Sequence, residues 1–244
     1  MLNRRFQRRG QSAVVKRRPC WGAAVLLGGL IFLAGCAVRE KTSIECRLSS
    51  RAKKPVPRFV LASRTHYLQR DARWASEPIG GSGKPLRAVG CTVCCLSMAL
   101  AQHGVELTPG ELNRALKKMD AYTSKGWVRW AAIGQLTGGQ LRAEILKHPT
   151  HRDIDAALAA ENPVLVKVAP PSMTQHWVLL VGRDRQEFLM KDPLDETRTT
   201  KPLALLGSDI LAVRVVKRDR AESAAASHLS SGVAAALSFR RAAE

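Results

Sequence analysis

Cys91, His176 and Asp192 are the side chains from which a nucleophilic site can be assembled. Cys91 directly follows Gly90 and opens an apolar run to His103 that is closed by Gly104, a natural helix stop. Partial positive charge at a helix amino terminus stabilises thiolate, the reactive form of cysteine. A nucleophilic thiol then needs a base, usually histidine, and a group that orients the base. Among His66, His103, His148, His151, His176 and His228, only His176 opens a predicted strand, after a loop that begins Ala169-Pro170-Pro171-Ser172. Sixteen residues further on, Asp192 ends the next predicted strand in Lys191-Asp192-Pro193. Two antiparallel strands joined by a short hairpin bring their outer ends together, so the carboxylate can hold the imidazole tautomer. The chemistry of such a set is acyl transfer: thiolate attack on an amide carbonyl, protonation of the leaving amine, and release of the acyl-enzyme by water.

The same turn of sequence admits other chemistry. Cys91-Thr92-Val93-Cys94 is a CxxC at a helix start, the arrangement of thiol–disulfide oxidoreductases. No βαβ pattern precedes it, and this reading leaves His176 and Asp192 without a task. Cys94 and Cys95 are expected to be small core residues, or thiols able to pair reversibly with Cys91. A zinc site from Cys91, Cys94, Cys95 and His103 is disfavoured, because three such ligands crowd one helical turn and no second paired cluster follows. Neither a metal nor a cofactor is expected. Trp74, Trp127, Trp130 and Trp177 are read as core or cleft walls rather than a stacking platform for bases.

The elements that must position these residues fall into two groups. The first half reads helical: Cys91 to His103, a helix from the capping box Thr108-Pro109-Gly110-Glu111 to about Met119, and a third over Val128 to Leu136. Thr150 to Asp153 is a further cap signature, leading into Ile154–Ala160. The second half reads as strands, Val164–Ala169, Trp177–Val181, Glu187–Lys191 and Ile210–Val216, with Gly182-Arg183-Asp184-Arg185 as a hairpin loop. Helices first and antiparallel strands later describe an α+β domain over about 58–216.

Several of these segments carry a resemblance. Tyr67-Leu68-Gln69-Arg70-Asp71-Ala72-Arg73-Trp74, Gly90-Cys91 with Met98 seven residues on, Asn162-Pro163-Val164, His176-Trp177-Val178 through Gly182, and Asp192-Pro193 stand in order. Together they resemble the bacteriocin-processing (double-glycine) peptidase-like family of papain-like cysteine peptidases, from about Tyr67 to Leu194. The resemblance implies a papain-like fold, with amino-terminal helices packed on a carboxyl-terminal antiparallel sheet, and a cysteine peptidase acting on a peptide or protein. It implies Cys91 as nucleophile, His176 as base, Asp192 as the orienting residue and Gln69 as the oxyanion-stabilising glutamine. The chain departs from many relatives at Thr92, where they have glycine. A non-catalytic peptide-binding protein on the same scaffold is the alternative, since fold does not guarantee chemistry.

The 244 residues carry a net charge of +19, which invites a nucleic-acid reading. Seven of those charges lie in residues 1–35, a basic stretch ending in the apolar run Gly22 to Gly35, the pattern of a secretory signal. The run closes on Leu33-Ala34-Gly35-Cys36, which resembles the lipobox of bacterial lipoproteins, with Cys36 lipidated after cleavage. The expectation is an envelope protein held on a membrane by its lipid and facing the periplasm or exterior. Residues 36–57 read as a basic tether and 217–244 as an Ala/Ser-rich, disordered tail. Without the signal the charge is +12, and no basic cluster interleaves with aromatics, so no nucleic-acid partner is expected.

Overall fold

The computed structural model describes residues 46–62 and 65–219. The export signal, the lipidation cysteine Cys36 and the tail beyond Asp219 lie outside the described residues. No described helix is long and apolar enough to cross a membrane.

An antiparallel sheet runs in the order β1-β4-β3-β6-β2. The strands are β1 (Arg51–Val60), β2 (Leu141–Leu146), β3 (Val164–Val168), β4 (His176–Lys191), the short β5 (Lys201–Pro202) on β4, and β6 (Ala212–Arg218). The helices are α1 (Leu86–Val89), α2 (Cys91–Gln102), α3 (Pro109–Lys118), α4 (Ala132–Leu136) and α5 (His151–Ala159). β3 reads Val-Leu-Val-Lys-Val because it is covered on both faces, where alternation would bury a polar row. Leu165 joins Leu179, Val181 and Val216 under α2, whose Leu96, Met98 and Leu100 are fully buried. Val164 and Val166 face the other way, with Val178, Leu180 and Val213, against Ile154 and Leu158 of α5. The expected α+β architecture, helices on an antiparallel sheet, is the one observed.

Local signals set the helix starts. Thr108 accepts from the Glu111 backbone while Glu111 reaches back to Thr108, and Thr150 and Asp153 repeat that capping box. β4 doubles back on itself. Fully extended, its residues would span roughly 50 Å, but its first residue, His176, hydrogen-bonds through Nε2 to Asp192 Oδ1 at 2.7 Å. The reversal lies at Asp184-Arg185, where Arg185 adopts a φ of 53°, so the expected hairpin is present.

Four expectations change. Arg51–Val60 is a strand of the sheet, so the tether read over 36–57 gives way to folded structure from Arg51 onward. Its Pro55 and Pro57 suit an outer strand, where a missing N–H leaves no neighbour unpaired. The third helix spans only Ala132–Leu136, because Val128 instead bridges Tyr122. β2 has no counterpart among the predicted strands: it is an edge strand whose Arg142 and Glu144 alternate with Leu141, Ala143 and Ile145. β6 runs to Arg218, beyond the boundary assigned to the tail.

Candidate active site

Cys91 is the first residue of α2, and Gly90 is its N-cap. α1 ends directly at Gly90, so the two helices meet without a loop. A Cβ at Gly90 would lie 2.6 Å from the Leu86 carbonyl oxygen and 2.7 Å from Leu86 Cδ2, so the junction excludes any other residue. The Gly-Cys pair therefore has a packing cause: it lets a helix start on the thiol itself.

His176, at the start of β4, is 2% exposed. Its Nε2 lies 2.7 Å from Asp192 Oδ1, which also accepts the Leu194 backbone N–H at 2.8 Å. That leaves Nδ1 as the ring atom open to the Cys91 thiol, which lies close enough to act on the imidazole electrostatically. Burial alone would push the His176 pKa down; the hydrogen bond the ring donates to Asp192, the Cys91 thiol and the charges of both outweigh it and hold the imidazole up at about 9. An imidazolium beside a thiol is the setting in which cysteine reacts as thiolate. Hairpin closure brings His176 and Asp192 together, and the packing of α2 against β4 sets Cys91 near them.

Gln69 is buried and held from two sides. Its backbone N–H donates to the Pro193 carbonyl at 2.8 Å, one residue past Asp192. Its Nε2 donates to the Arg87 carbonyl at 3.0 Å, in the turn that leads to Cys91. Gln69 therefore links the Asp192 segment to the Cys91 segment, with Oε1 buried and unpartnered. His66 was not singled out from sequence. Its ring donates from Nε2 to the Asp192 carbonyl at 2.8 Å, and a lone histidine ahead of the Tyr67 segment carries no pattern that would reveal this.

The neighbouring thiols are inaccessible. Cys94 and Cys95 are fully buried, and burial pushes both thiols well above their ordinary range, whereas Cys91 is partly exposed. Cys95 Sγ donates to the Trp177 carbonyl at 3.3 Å, tying α2 to the strand that carries His176. His103 sits at the other end of α2 with its Nε2 2.9 Å from the Val216 carbonyl, away from the cysteine turn. Among the described residues no group of three His, Cys, Asp or Glu side chains could hold a metal. Trp74 is a core residue, and Trp130 and Trp177 are half-buried, but Trp127 is 54% exposed and walls nothing.

Residues 66–206 match the sequence model of the Peptidase C39 like family. A solved structure from Bacillus anthracis, assigned as a C39-like peptidase, is 15% identical with a TM-score of 0.42, the alignment covering 67% of this chain and all of that one. No curated protein matches the chain. The family match takes in more than half of the 244 residues, and Gln69, Cys91, His176 and Asp192 all lie inside it: the chain belongs to the Peptidase C39-like family.

Proposed function

We propose that the protein is a cysteine peptidase that cleaves a peptide or amide bond through Cys91, His176 and Asp192. The observation that carries this reading is the buried His176, hydrogen-bonded through Nε2 to Asp192 and acted on by a thiol at a helix amino terminus. In the first step Cys91 Sγ attacks the carbonyl carbon, and the oxyanion is met by the Cys91 backbone N–H and Gln69 Nε2. His176 Nδ1 gives its proton to the departing amine, leaving a thioester on Cys91 and a neutral imidazole. Water then adds to the thioester as His176 takes its proton, and the acid is released with the thiolate–imidazolium pair restored. Asp192 stays ionised throughout and keeps the ring turned toward Cys91.

The reading extends to a site held outside the cytoplasm by a lipid on Cys36, which the Leu33-Ala34-Gly35-Cys36 motif and its basic flank support. A Cys36→Ser chain is then expected to leave the membrane fraction.

The test of the catalytic reading pairs alkylation by iodoacetamide with hydrolysis of a mixed peptide library followed by mass spectrometry. Wild-type protein is expected to label at Cys91 and to cut. Cys91→Ala should do neither, and His176→Ala should slow both. Labelling that ignores His176, or goes to Cys94, overturns the reading. Reduction of insulin that requires Cys94 would indicate thiol–disulfide exchange, and a folded protein that neither labels nor cuts would indicate a binding scaffold.

A further inference from the structure

β6 carries a cation, Arg214, that meets no carboxylate among the described residues. Arg214 pairs with Leu165 on β3 and Ile145 on β2, on the sheet face that packs under α2, with Lys167 and Trp177 next along. Its guanidinium carbon lies 5.5 Å from the Trp130 ring centre and 5.8 Å from that of Trp177, and the two rings are 5.6 Å apart. Nη1 donates to the Val213 carbonyl at 2.8 Å, while Nε is buried with no hydrogen-bond partner. Among the described residues no carboxylate lies within ion-pair distance of Arg214. By alternation, this face of β2, β3, β6 and the first arm of β4 carries no acidic residue, since Glu144 points to the other face and pairs with Lys217. Burial pulls the guanidinium pKa below its usual value, partly countered by the nearby Cys46 thiol.

An uncompensated, partly buried cation is costly, and two tryptophan faces offset only part of that cost. A planar guanidinium in an apolar frame is a good receptor for a carboxylate, which it binds through two parallel N–H donors. The location gives this receptor a role. Trp177 directly follows His176, and its carbonyl is held by Cys95, one helical turn from Cys91. The Arg214 frame therefore adjoins the strand and the helix that carry His176 and Cys91.

We propose that Arg214, framed by Trp130 and Trp177, is a subsite for a carboxylate of a peptide substrate. That the ligand is a substrate rests on the peptidase reading; the carboxylate recognition does not. The carboxylate is either a free chain terminus or an Asp or Glu side chain.

The test separates these sources and the two readings. Full-length Cys91→Ala protein, which cannot turn over substrate, is titrated by tryptophan fluorescence with three probes: acetyl-Gly-Asn-Gly with a free carboxylate, the same peptide amidated, and amidated acetyl-Gly-Asp-Gly. At least one carboxylate probe is expected to bind tenfold or more tightly than the neutral amide. In Arg214→Gln that ratio should collapse to about one, and in Arg214→Lys, which keeps the charge but loses the fork, it should fall to an intermediate value. Equal affinities for all three probes, no measurable binding, or a ratio that survives Arg214→Gln in a protein with an unchanged thermal midpoint overturns the subsite. Carboxylate preference in binding with no hydrolysis by wild-type protein would sink the peptidase reading and keep the subsite. Hydrolysis without any such preference would do the reverse.

Discussion

Replacing Asp192 by Asn isolates the charge at the heart of the site. Asp192 Oδ1 accepts from both His176 Nε2, at 2.7 Å, and the Leu194 N–H, at 2.8 Å. Asparagine keeps a carbonyl oxygen for both donors, so the geometry survives while the negative charge is lost. In the wild type, burial works to lower the His176 pKa, and Asp192 together with Cys91 overcomes it to give about 9. With the carboxylate gone, burial remains, and the pKa should fall toward or below the ordinary histidine value of about 6.5. The full difference corresponds to about 3 kcal/mol at about 1.4 kcal/mol per pH unit, shared between Asp192 and Cys91. At pH 7.5 a group with a pKa of about 9 is almost wholly protonated, whereas one at about 6.5 is roughly one-tenth protonated. If Cys91 reacts from a thiolate–imidazolium pair, alkylation at pH 7.5 should slow about tenfold in Asp192→Asn. Because the folded pKa is raised, the pair adds stability in full below about pH 6.5 and loses it as pH rises through about 9, a loss the variant should lack. The direct assay is an NMR titration of labelled histidine rings beside iodoacetamide kinetics. A wild-type His176 midpoint near 6.5, or a midpoint that Asp192→Asn leaves in place, would refute the electrostatic account.

Three further substitutions probe separate parts of the structure. Gln69→Ala should lower the hydrolytic kcat by about 10²- to 10³-fold while changing Cys91 alkylation, which forms no oxyanion, by less than about threefold; equal losses in both would make Gln69 a structural residue only. Arg183 is fully buried, ion-paired with Asp155 and donating to the Lys54 and Arg185 carbonyls at 2.8 and 2.7 Å. Arg183→Leu strands those acceptors and should cost about 3 kcal/mol by urea denaturation; a loss under about 1 kcal/mol would mean that the network is replaceable by packing. Thr108→Ala removes one half of a capping box and should cost about 1 kcal/mol, read as a small drop in thermal midpoint, and no drop would show that tertiary contacts alone hold the start of α3.

What could be read from the sequence was what is decided locally. Both capping boxes, the apolar α2 and the doubly buried β3 follow from residues within a few positions of one another. So do the ends of the hairpin, which is why Cys91, His176 and Asp192 could be assembled at all. The misses depend on pairing across the chain. β1, with Lys53, Lys54, Pro55 and Pro57, reads as a solvated leash until β4 supplies its partner. β2 is half polar because one edge has no neighbour, and the Arg214 cluster exists only through the register of three strands. Gln69 was visible only by resemblance, since its placement comes from the Arg87 and Pro193 carbonyls, which no pattern announces.

The stretch misread as a tether bears on catalysis through register. In an antiparallel pair, a slip of one residue turns every side chain to the opposite face, and a slip in β4 would carry Asp192 away from His176. The tip of the hairpin is held by β1: Phe59 pairs with Arg183 and Val60 with Gly182, Leu61 N–H donates to the Val181 carbonyl at 2.7 Å, and the Arg183 guanidinium reaches the Lys54 carbonyl. Gly182 lies so close to the Phe59 carbonyl that a side chain there would collide with it. The open end is held by Gln69 on Pro193, by His66 on Asp192 and by the Leu194 N–H on the Asp192 carboxylate. One length of chain, from Arg51 to Gln69, thus makes contact with both ends of the hairpin that sets the His–Asp pair. It follows that the segment leading into the domain belongs to the machinery that positions the base, and that the cost of disturbing Arg183 should appear at His176 as well as in overall stability.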